Sequence, residues 1–248
     1  MKNSKYLNTP AEYISWQRRL IVGGICKIGV LGGIGPEATG EFYNKLIKRL
    51  QERRLIKNNR DFPQIIINSI PAPELIYENI SDEELQPYIE GLKELDKFGV
   101  DFIVMVCNTI YLYYDRLQKE INALILNLRE EVRESLRRKR IKSTLIIGTP
   151  NTIKQGLYRF PDIKSFEPDE KEIKQLADSI FNFNKGMEKQ KQIQKVRKIC
   201  EKYLSKGAEI IILGCTEFAV MLSKENFPVI NTIDILVEAT IRKIIKNF

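Results

Sequence analysis

Two stretches of this chain repeat one pattern, and that repeat constrains the fold more than any other feature. A helical stretch ends at Gly99, Val100 and Asp101 lead into an apolar run from Phe102 to Val106, and Cys107 closes it. A second helical stretch ends at Gly207, Ala208 and Glu209 lead into an apolar run from Ile210 to Leu213, and Cys215 closes it after Gly214. In both copies the cysteine comes eight positions after the glycine. A glycine after a helical stretch reads as the positive-φ residue that ends it. An unbroken apolar run of this length reads as a strand buried on both faces of a parallel sheet. Each cysteine then falls at the carboxyl end of its strand.

Upstream, residues 28–36 and 145–150 match more loosely, each a strand, a turn with glycine and a proline that opens a helix. Strands are expected over 27–33, 64–69, 101–107, 123–126, 143–148, 163–166, 208–215 and 228–231. Helical patterns separate most of them, for example 83–98, 189–206 and 233–246. This alternation is α/β. It predicts two pseudo-symmetric, doubly wound lobes with parallel sheets, 27–143 and 144–248, with an active site in the cleft between them. The C-terminal helix is placed to pack back on the first lobe. No Gly/Ser-rich linker separates the lobes, so close packing is expected. Residues 1–26, with the only tryptophan, Trp16, form an N-terminal extension.

Composition narrows the chemistry. The 248 residues are 43% hydrophobic and 29% charged, the profile of a globular chain. No apolar run reaches the roughly 18 residues of a membrane span, and Met1 to Arg19 hold no apolar signal core. A cytoplasmic protein without a membrane partner is expected. There is no histidine, which removes Ser-His-Asp triads, Cys-His pairs and His-ligated zinc. The four cysteines, Cys26, Cys107, Cys200 and Cys215, form no C-x-x-C pair, against a disulfide framework or a zinc ribbon. The net charge of +8 gathers at 137–142 and 185–198, in helical stretches close to glutamates. Without an RNA-reading or recognition-helix motif these are solvated helix faces, and no nucleic-acid partner is expected.

In open α/β sheets ligands bind beyond the carboxyl ends of the strands. Related lobes facing each other would put Cys107 and Cys215 on opposite walls of one cleft. Asn108 and Thr109 follow the first and Thr216 and Glu217 the second, so backbone N–H groups at each turn would meet a bound anion. A helix start at each thiol is expected to lower its pKa. Two thiols flanking one carbon could remove a proton from one face and return one to the other, inverting the centre without a cofactor. Cys26 and Cys200 read as small buried hydrophobes.

Gly32 to Thr39 (Gly-Gly-Ile-Gly-Pro-Glu-Ala-Thr), Cys107-Asn108-Thr109 and Gly214-Cys215-Thr216-Glu217 resemble, in order and spacing, the three signature motifs of the aspartate/glutamate racemase family. The resemblance runs from about Lys27 to the C-terminus. It implies two pseudo-symmetric α/β lobes, a homodimer, and racemisation of an acidic amino acid, aspartate first and glutamate next, without pyridoxal phosphate. It implies Cys107 and Cys215 as the acid/base thiols, and Asn108, Thr109 and Thr216 as holders of the α-carboxylate. The loop at Ile34 and Gly35 would line the pocket, and Ser69 would reach the site from the second strand. Lys185 would take the side-chain carboxylate, and Glu217 would orient the second thiol or the ammonium group. Two departures touch the substrate. Tyr111 stands where many members have histidine, and Glu74 lies near an expected arginine.

Rival readings stay open at this level. Gly33 to Ala38 fits the dinucleotide pattern G-x-G-x-x-A, but Pro36 removes an N–H group, and Asp61 comes late for the ribose carboxylate. Related folds isomerise maleate or other carbon acids with cysteine. An inactive homologue that binds a small anion is a third reading.

Overall fold

The computed structural model describes residues 26–73, Leu75 and 80–247. The extension up to residue 25, and Glu74, lie outside the described residues. The first lobe holds β1 (Lys27–Gly32), β2 (Gln64–Ser69), β3 (Phe102–Met105) and β4 (Leu124–Ile125), in the order β2-β1-β3-β4. The second holds β5 (Ser143–Gly148), β6 (Lys164–Phe166), β7 (Ile210–Gly214) and β8 (Val229–Asn231), in the order β6-β5-β7-β8. All pairings in both sheets are parallel. The two lobes therefore share one topology, with β3 and β7 as counterparts.

The strands carry apolar side chains on both faces because helices cover both faces. Phe102, Ile103, Val104 and Met105 are fully buried. The helices are α1 (Pro36–Glu52), α2 (Asp82–Lys97), α3 (Tyr114–Gln118), α4 (Leu128–Arg138) and α5 (Pro150–Lys154). They continue with α6 (Glu170–Asn184), α7 (Lys189–Ser205), α8 (Thr216–Met221) and α9 (Thr232–Asn247). Capping boxes of Ser81 with Glu84 and Asp169 with Glu172 start α2 and α6 by satisfying N–H groups the first turn leaves unpaired. Gly99 and Gly207 have φ of 67° and 99°, so each turns the chain out of a helix and into β3 or β7.

The last helix of the second lobe lies against α1 and α4 of the first. Its apolar side, with Val237, Ile241 and Ile244, is buried. Lys45 pairs with Asp234 at 3.0 Å, and Arg53 with Glu238 and Arg242 with Glu131 add ion pairs across the seam. Burying each large aliphatic side chain stabilises by about 1.5–3 kcal/mol, so this seam holds the lobes in one relative position. The cleft between them is set by packing.

Candidate active site

In both sheets the strand order reverses beside the first strand, and the loops leaving the adjacent strands part to leave a crevice. The two crevices open onto one cavity of about 280 Å³. Ile34, Gly35, Cys107, Asn108 and Thr109 line it from the first lobe, and Thr149, Asn184, Cys215, Thr216 and Glu217 from the second. Its volume lies just below the roughly 300–1,000 Å³ of ligand pockets, the scale of one amino acid.

Cys107 stands two residues beyond β3, at the start of a short 3-10 turn (Thr109–Tyr113). The N–H groups of Thr109 and Ile110 and the Thr109 hydroxyl are placed to favour its thiolate. Behind it the Thr109 hydroxyl lies 3.1 Å from that of Thr149 and 3.0 Å from that of Thr152. Thr149 caps α5 by accepting the Thr152 N–H at 3.1 Å, and its own hydroxyl donates to that of Thr152 at 3.1 Å. A hydroxyl has one proton to give. Thr149 gives its proton to Thr152, Thr152 can give its own to Thr109, and the Thr109 proton is left for the thiol.

Asn108 is 1% exposed, and its side chain is already bonded within the protein. It donates to the Thr232 hydroxyl at 3.1 Å and accepts from the Tyr158 hydroxyl. Thr232 in turn donates to the Leu213 carbonyl at 2.9 Å. This chain ties the end of β3 to the end of β7, so the two cysteine-bearing turns are held relative to each other. Asn108 is thus first a strut, with its oxygen committed to Tyr158.

Cys215 is the extended residue that precedes α8. Its thiol donates to Glu217 Oε2 at 2.7 Å. The same oxygen accepts from the Thr216 hydroxyl at 3.2 Å, and Oε1 accepts from Asn184 Nδ2 at 3.3 Å. Across the cleft, Gly35 has φ 84°, and a Cβ there would come within 2.7 Å of Glu217 Oε1. Only glycine lets the first-lobe turn approach the carboxylate this closely.

The expectation of lowered thiol pKa values is overturned. Burial pushes Cys107 up to about 12, against the N–H groups that favour its thiolate, and the Glu217 charge pushes the same way. Cys215 lies well above the ordinary thiol range, by burial first, then by the Glu217 charge and hydrogen bond, then by Cys107. The helical turns that follow are five and six residues long, too short for their N–H groups to offset desolvation. Both thiols rest protonated.

Two expected residues are not brought to the cavity. Ser69 ends β2, the edge strand, and shares with Ile67 a face that is exposed because side chains alternate along a strand. Lys185 follows α6 with its ammonium 3.8 Å from the Phe181 ring centroid, on the outer side of the helix. Helical spacing instead turns Ile180, Phe183 and Asn184 inward. Tyr111 is also absent from the lining. It is buried, donates to the Met105 carbonyl at 3.2 Å and stacks on Tyr114.

Sequence reasoning missed Thr149, Thr152, Tyr158, Asn184 and Thr232. Thr149 was within reach, since it occupies the turn of the 145–150 segment that repeats the Gly33–Gly35 turn. Asn184 sits one residue before the lysine chosen. Tyr158 and Thr232 carry no local signal, because their role exists only once the lobes meet.

The profile of the family described as Asp/Glu/Hydantoin racemase matches residues 31–240. The broad specificity amino-acid racemase RacX of Bacillus subtilis (strain 168) is 27% identical over 223 residues, 86% of this chain and 96% of the relative. The structure of an aspartate racemase homologue from Pyrococcus horikoshii OT3 superposes with a TM-score of 0.68 at 26% identity, covering 89% of this chain and 99% of that one. That of Picrophilus torridus aspartate racemase superposes with a TM-score of 0.74 at 23% identity, covering 88% and 94%, a likeness of fold. With a matching profile over most of its length and the two-lobed fold of these relatives, the chain belongs to the Asp/Glu/hydantoin racemase family and is an amino-acid racemase.

Proposed function

We propose that the chain interconverts the enantiomers of an α-amino acid with Cys107 and Cys215 on opposite faces of Cα, one removing the α-proton while the other delivers its own proton. The observation that carries this reading is the pair of thiols at equivalent strand ends of opposite lobes, both lining one small cavity. Glu217 is buried at 9% exposure, and among the described lining residues no lysine or arginine accompanies it. A buried carboxylate is stabilised by a partner of opposite charge, and the substrate ammonium supplies one. The ammonium also offsets the charge that raises both thiols, so a thiolate becomes accessible in the occupied site. That thiolate takes the α-proton on one face while the opposite thiol gives its proton to the other. The turns at Asn108, Thr109 and Thr216 receive the α-carboxylate through N–H groups.

The aspartate-or-glutamate expectation and the homodimer rest on the resemblance. A distal carboxylate is the part of a substrate for which the described lining offers no cation. The test is chiral chromatography of the common L-amino acids after incubation with reduced protein. Formation of D-enantiomer, lost in both Cys107→Ser and Cys215→Ser, supports the reading. Inversion of none of them, or full activity in either variant, overturns it.

A further inference from the structure

Beside its polar groups the described lining of the cavity carries a set of apolar side chains. Ile34 comes from the turn after β1, Leu75 from the loop after β2, Ile180 and Phe183 from α6, and Val220 from α8. These side chains converge from both lobes into an apolar wall. The charged groups of the described lining are Glu37 and Glu217, both acidic. At the rim, Lys189 is held 3.1 Å from Glu37 with its ammonium 4.5 Å from the Phe183 ring centroid, so its charge is already answered. Lys185 is turned outward to Phe181.

We propose that the side-chain end of this site selects a neutral amino acid with an apolar side chain, of the kind of leucine or methionine, over aspartate and glutamate. The proposal rests on the amino-acid racemase reading above and names its substrate class. An acidic side chain entering this space would leave its solvent shell for apolar side chains beside Glu37, with no lysine or arginine among the described lining residues to answer it. An apolar side chain would displace water from the same wall and gain free energy by doing so. A lysine side chain would have only Glu37 to meet, and Lys189 already occupies that carboxylate.

The test measures kcat/KM for α-proton exchange in D₂O with L-leucine, L-methionine, L-aspartate, L-glutamate and L-lysine. The expected result is leucine or methionine faster than either acid by at least about a hundredfold, an unpaired buried carboxylate costing two factors of ten or more. Aspartate or glutamate equal to leucine and methionine, or lysine above them, overturns the proposal. Ile180→Arg, which puts a cation into the wall, is expected to lower the leucine-to-aspartate ratio by at least about tenfold; an unchanged ratio counts against the assigned wall. Calorimetric binding of the same amino acids to the Cys107→Ser/Cys215→Ser double variant keeps selectivity separate from chemistry. If the wild type inverts none of the common L-amino acids, the racemase reading is what fails, and tighter binding of aspartate than of leucine to the double variant refutes the side-chain assignment by itself.

Discussion

Replacing Glu217 by glutamine removes a charge from beside Cys215 while keeping the shape of the side chain. The thiol and carboxylate lie 2.7 Å apart. Two unit charges at that distance repel by about 6 kcal/mol at an effective dielectric constant of about 20, roughly four pH units of thiol ionisation. Side-chain relaxation in the ionised state widens the separation, and at about 4 Å the repulsion falls to about 4 kcal/mol, near three units. Burial remains, so the Cys215 pKa in Glu217→Gln is expected to fall by at least about two units and to stay above the ordinary thiol range. The assay is the pH dependence of iodoacetamide labelling at Cys215, read by mass spectrometry of the peptide that contains it. The same variant is expected to raise KM more than it lowers kcat, since the ammonium loses its partner. A labelling profile displaced by less than about half a unit would refute the electrostatic argument.

Other consequences follow from the hydrogen-bond chains and the buried thiols. Thr152→Val takes one donor from the Thr109 hydroxyl, so labelling of Cys107 is expected to slow, with stability reduced by about 1 kcal/mol in urea denaturation; Thr152→Ser restores both, and faster labelling in the valine variant would contradict the relay. Tyr158→Phe leaves the Asn108 oxygen without its donor and is expected to cost about 1–3 kcal/mol while lowering kcat through a loosened strut; unchanged stability and turnover would remove Asn108 from that role. Burial pushes Cys26, Cys107 and Cys200 up to about 12 from an ordinary 9.0. The folded state therefore holds protons that the unfolded state loses above about pH 9, and stability is full below that point and declines as pH rises towards 12. A urea midpoint that stays level or rises from about pH 8 to about pH 11 would contradict this sign.

The architecture was legible because each local signal pointed to the same answer. The unbroken apolar runs before Cys107 and Cys215 could be satisfied only with both sheet faces covered, and the glycines eight residues earlier fixed where helix gives way to strand. Expected strand 208–215 is observed as Ile210–Gly214, with Cys215 still extended but serving as the residue that precedes α8. The cavity position of both cysteines follows from strand-end placement. Lys185 and Ser69 stand outside the cavity lining because motif order fixes a neighbourhood but not a face: one step along α6 turns a side chain by about 100°, and one along β2 reverses it. The thiol pKa shifts were misjudged for a different reason. The sequence shows the helix start but not the burial, and desolvation outweighs a few N–H groups.

The central claim is that two thiols act on opposite faces, one removing the α-proton and the other delivering a different one. Its most direct test is the early phase of racemisation in D₂O, with the isotope at Cα followed by mass spectrometry in both separated enantiomers. The account predicts that the D-product carries solvent deuterium from the first turnover while the recovered L-substrate stays protiated, because Cys107 and Cys215 deliver and remove different protons. Protium retained in the product, or deuterium washed into the recovered substrate at the same rate, would mean that a single group does both, and would contradict it.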